Sequence, residues 1–155
     1  MKRLLSLAVL AAVLLAGLTA CAPRGETDSL EEILQTSKKR FARALRSGPE
    51  EGRAWATDVQ PLLEALEQAA RNSLDSPSVR VEAQAFEAVA HSLSDLTARA
   101  GTPSRAAFGA LVAQYEGMRQ ATTADQAPAA NTVKLLVART YNLLSSELES
   151  TAFAL

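Results

Sequence analysis

Cys21 and His91 carry the only thiol and the only imidazole in 155 residues, so chemistry that needs either group starts there. Glu87 and Asp95 lie four residues to either side of His91. On a helix that spacing puts all three on one face, a candidate carboxylate–histidine–carboxylate metal site. A structural metal site usually takes four placed ligands and one helix supplies three here, so a solvated polar face is the simpler account. A di-iron bundle needs Glu-x-x-His pairs on two helices. Here Glu87 precedes His91 by four residues and there is no second histidine. Haem held between His91 and Met118 fails on phase. Met118 falls on the apolar stripe of its helix, whereas His91 lies roughly 160° from the stripe of its own at 100° per residue.

The remaining inventory is polar without a catalytic pattern. CxxCH, a Gly-rich phosphate loop, HExxH and an EF-hand loop are all absent. Glu64 and Glu67 sit beside the apolar stripe of their helix, where solvation is expected, with Arg71 one turn beyond Glu67 as a helix-supporting partner. No enzyme activity, cofactor or metal is therefore expected. Lys38, Lys39, Arg40, Arg43 and Arg46 form the one concentrated basic run. It suits anionic headgroups or an acidic partner. It equally suits a solvated helix whose cations complement its C-terminal end.

The N-terminus explains Cys21. Lys2 and Arg3 precede an apolar run from Leu4 to Leu15, interrupted by Ser6, and then the small-residue stretch Ala16 to Ala20. This is the plan of a secretory signal, too short for a comfortable bilayer span. Leu18-Thr19-Ala20-Cys21 resembles the lipobox of bacterial lipoproteins. The resemblance covers the first 21 residues and implies a diacylglyceryl group on the Cys21 thiol, cleavage between Ala20 and Cys21, and frequent acylation of the new amino group. It also implies, through the sorting rule that Asp after the cysteine retains lipoproteins at the inner membrane, that Ala22 directs the chain to the outer membrane, facing the periplasm. Two or three acyl chains exceed the threshold for stable anchoring.

Removing residues 1–20 leaves 135 residues, enough for one domain with a real core. Lys2 and Arg3 leave too, so 16 basic residues become 14 against 17 acidic ones, a net charge of about −3. A mildly acidic chain is a poor nucleic-acid binder. With Cys21 acylated, no thiol remains for disulfides.

The expected division is a signal peptide over 1–20, a lipidated tether over 21–28 and a helical domain over 29–155. Asp28 with Glu31 reads as a capping box, and Leu30, Ile33, Leu34, Phe41, Ala44 and Leu45 recur at helical spacing, predicting a helix over 29–46. A second helix over 50–73 keeps its apolar phase through Pro61, which predicts a kink there. Ser76-Pro77 and Thr102-Pro103 each read as a cap followed by proline, opening helices over 77–100 and 104–121. Gly109 and Gly117 weaken the latter. The last helix is expected over 130–150. No stretch alternates with period two. The fold class is all-α, an antiparallel bundle of four to five amphipathic helices.

Two functions fit. One is a non-enzymatic interaction or accessory module, bound to the membrane through Cys21 and to an envelope protein. The other is a carrier of a lipid, small apolar ligand or metal, which needs a pocket between the helices.

Overall fold

The computed structural model describes residues 24–75, 80–99 and 102–153. Ala20, Cys21 and the Ser76-Pro77 cap lie outside them. The described chain is five helices: α1 Arg24–Ser47, α2 Glu50–Asp75, α3 Ala83–Arg99, α4 Thr102–Thr123 and α5 Ala130–Phe153. No strand occurs among the described residues.

Two boundaries differ from the sequence expectation by more than three residues, and α4 begins at Thr102, the expected cap, rather than at 104. α1 starts at Arg24, so residues 24–28, expected as tether, are helical. Once the packed part of a helix exists, each added residue gains a hydrogen bond without a new nucleus. Gly25 alone does not stop that. α3 starts at Ala83, six residues after Pro77. Arg80 to Glu82 are non-helical, with Val81 buried as an apolar plug and Arg80 paired to Asp125 in the α4–α5 loop. α2 runs through Pro61 as one helix, with Pro61 on its exposed side.

Sequential helices reverse direction, and α5 is the hub. It packs extensively on α1, less on α2 and lightly on α4, while α3 and α4 form a close hairpin and α1 barely touches α2. With five helices, α1 and α5 point the same way. Lys134 faces Glu31, Asn142 donates to Ser37 and Glu149 accepts from Arg40, the partners advancing together along both helices. The short α1–α2 turn is moulded to α5. A Cβ on Gly52 would lie 2.7 Å from Leu148 Cδ2, so any larger residue there would make Leu148 give way.

The core is filled by aromatic and branched side chains from all five helices. Phe41, Phe86, Phe108, Tyr115 and Tyr141 are fully buried, surrounded by Leu34, Leu63, Leu66, Leu93, Leu144 and Leu148. Tyr115 Oη and Thr140 Oγ1 hydrogen-bond at 2.8 Å, joining α4 to α5, and Thr140 Oγ1 also lies 2.8 Å from the Leu136 carbonyl. Burial pushes the Tyr115 phenol well above its ordinary pKa, so it stays a neutral member of the core. α4 ends in a Schellman-type turn. Gln126 N–H reaches the Ala121 carbonyl and Asp125 N–H the Thr122 carbonyl, with Asp125 at φ 59° in the left-handed region that glycine usually occupies.

Candidate functional site: the outer face of α1

The basic run lies on the C-terminal half of α1, and the bundle divides it in three. At 100° per residue, the buried positions Leu34, Ser37, Phe41 and Ala44 define the inner face. Lys38 falls to one side, towards α2, and its Nζ donates to Glu67 Oε2 at 2.8 Å. Arg40 falls to the other side, towards α5, where Nη2 donates to Glu149 Oε2 at 2.6 Å and Nε to Oε1 at 3.1 Å. Nη2 also reaches Ser146 Oγ. Lys39, Arg43 and Arg46 remain on a crest, within a roughly 60° arc opposite the core. All three are exposed, and none forms an ion pair with a described residue. Two of the five predicted contact cations are therefore structural rivets, and three stand on the exposed crest without a direct ion pair among the described residues, Arg43 still close enough to Glu149 to lower its carboxyl pKa.

The rivets belong to a charged seam that spacing did not reveal. Glu67, expected to be solvated, is enclosed, with its side chain only 6% exposed. Its partner Lys38 lies on another helix, 29 residues back in the chain. Arg71 does pair with Glu67, at 2.9 Å, and its Nη2 also donates to Glu31. Lys134, itself buried, stands 3.7 Å from Glu31 Oε2. Glu31, Lys38, Glu67, Arg71 and Lys134 thus link α1, α2 and α5. Hydrogen bonding to Arg71 holds the Glu31 carboxyl below its usual pKa despite partial burial, and Arg40 does the same for Glu149. Enclosed charges persist only where they are paired, and here each has a partner.

His91 sits where its phase predicted. Its side chain is 81% exposed, and Nε2 lies 3.9 Å from Asp95 Oδ2. Among the described residues, no group of three or more His, Cys, Asp or Glu side chains is placed to hold a metal ion. Glu87, His91 and Glu116 rim an open groove of about 540 Å³ on the outer side of the α3–α4 hairpin. A second shallow groove continues from it past Ser94 and Val112 to Gly109 and Arg105. Both open outward from the bundle. Met118 is half-buried on α4 and packs against the core.

No described helix is long and apolar enough to cross a membrane. Comparison with protein families, curated proteins and solved structures found no match to the chain.

Proposed function

We propose that the chain is a bacterial envelope lipoprotein, held in the membrane by acyl chains on Cys21 and acting as a non-enzymatic accessory module of an envelope protein assembly. The outer membrane, on its periplasmic side, is the proposed location. The observation that carries this reading is Leu18-Thr19-Ala20-Cys21 closing a signal-like apolar run, three residues before the first described helix begins at Arg24. The carrier alternative has less support. The space between the helices is occupied by Phe41, Phe86, Phe108, Tyr115 and Tyr141, and the grooves described above lie outside the bundle. A module that docks through its surface needs no interior cavity, and it offers the α3–α4 groove and the α1 crest.

Growth with radiolabelled palmitate tests the anchor. Label is expected on the wild-type chain in the membrane pellet and absent from Cys21→Ala. Equal labelling of both, or none of either, contradicts it. Crosslinking in intact envelopes tests the docking role, with a discrete crosslinked protein expected and its absence from both wild type and Cys21→Ala counting against it.

A further inference from the structure

We infer that α1 lies in the plane of the membrane, with its Lys39–Arg43–Arg46 crest resting on anionic phospholipid. This rests on the proposed anchor at Cys21 and adds how the domain is oriented above it.

The geometry leaves little slack. Two residues, Ala22 and Pro23, separate Cys21 from Arg24 at the start of α1, so three residue steps give a reach of about 10 Å. α1 is therefore the first element the bilayer meets. Lys39 to Arg46 sit about 22–33 Å along the helix from Arg24. Were α1 upright, these cations would stand more than two Debye lengths above the surface at physiological salt, where headgroup charge is screened out. With α1 in plane they lie on the headgroups.

The crest is built for such contact. It faces directly away from the core, and α1 packs through its opposite side onto α5. Lys38 and Arg40 are withdrawn to Glu67 and Glu149, leaving the crest cations without an ion-pair partner among the described residues. Glu32 is the exposed acid on the same arc and Glu149 lies near Arg43 at its edge, so Lys39, Arg43 and Arg46 with Glu32 leave a net charge of about +2 on a chain whose mature form is net acidic. That excess suits an anionic surface, and the acyl chains hold a lipid surface within reach. Each cation brought to an anionic surface raises association by roughly fivefold, and three by roughly 100-fold.

The test uses the acylated chain purified from envelopes, with a fluorophore at Gln35→Cys on the crest or, as control, at Ala110→Cys on exposed α4. Each is placed in phosphatidylcholine vesicles with or without phosphatidylglycerol, and acrylamide quenching is read. Phosphatidylglycerol is expected to protect position 35 and not position 110. About 1 M salt, which shortens the Debye length to about 3 Å, removes the protection. So does the triple change Lys39→Gln, Arg43→Gln and Arg46→Gln, whereas Lys39→Arg, Arg43→Lys and Arg46→Lys together keep it. Equal quenching of position 35 in both vesicles overturns the inference while leaving the anchor intact. Protection by added polyglutamate but not by phosphatidylglycerol also overturns it, assigning the crest to an acidic polypeptide. A chain whose mass shows no acyl group overturns the anchor and the inference together.

Discussion

Lys38 on α1 and Glu67 on α2 meet at 2.8 Å, which with the Arg71–Glu31 pair ties together two helices whose backbones make little other contact. Glu67 is enclosed, so the contact matters for what its loss leaves behind. Glu67→Gln deprives Lys38 and Arg71 of a charged acceptor and is expected to destabilise the fold by about 1–3 kcal/mol. Arg46→Gln, on the crest, should stay within about 0.5 kcal/mol of wild type. Urea unfolding of the two variants checks the contrast, and equal effects would show that the seam is not a stabilising link.

Acid should loosen α1 first. Glu31 and Glu149 have folded-state pKa values below their ordinary value because Arg71 and Arg40 hydrogen-bond the charged forms. The stability they contribute is complete above the unfolded pKa, near 4.5, and is lost as pH falls from there through the lowered folded values. Both pairs are partly exposed, so each contributes no more than about 1 kcal/mol. The double variant Glu31→Gln, Glu149→Gln is expected to show a smaller drop in urea midpoint between pH 6 and pH 3 than wild type. An unchanged drop would place the acid sensitivity elsewhere.

The glycines should behave oppositely. Gly109 and Gly117 face open space, so alanine there gains helix propensity and is expected to stabilise by up to about 1 kcal/mol each. Gly52→Ala gains the same propensity but drives Cβ into Leu148, and is expected to lower stability overall. Thermal unfolding of the three variants reads the signs directly.

The two buried tyrosines provide a further pair. Tyr115 hydrogen-bonds Thr140, whereas the Tyr141 hydroxyl is buried without a hydrogen-bond partner among the described residues and its ring centroid lies 5.2 Å from that of Phe41. Tyr115→Phe is expected to cost about 1 kcal/mol. Tyr141→Phe should be neutral or stabilising, since it removes an unsatisfied polar group. A cost for Tyr141→Phe equal to that for Tyr115→Phe would mean its hydroxyl is satisfied after all.

The helices were legible because Leu34-Phe41-Ala44, Phe86-Val89-Leu93 and Val133-Leu136-Val137-Leu144 keep a 3.6-residue period that only burial on one face explains. The exposed face of His91 followed from the same phase. The starts of α1 and α3 were not legible, since Gly25 and Pro77 mark where a helix tends to stop or begin while tertiary packing, such as the burial of Val81 ahead of α3, is not written in local spacing. Glu67 was misread as solvated because local spacing shows Arg71 and not Lys38, whose approach depends on how α1 lies over α2. The division of the basic run into two rivets and three crest cations was hidden for the same reason. The close approach of Leu148 to Gly52 was likewise invisible in the sequence, because it depends on how α5 lies over the α1–α2 turn.

The most direct measurement of the central claim is the intact mass of the mature chain purified from envelopes. The account predicts a polypeptide beginning at Cys21, heavier than residues 21–155 alone by a diacylglyceryl group, with or without an added N-acyl chain, and a Cys21→Ala chain that lacks any such increment. A mass equal to an unmodified polypeptide with a free Cys21 thiol would contradict it.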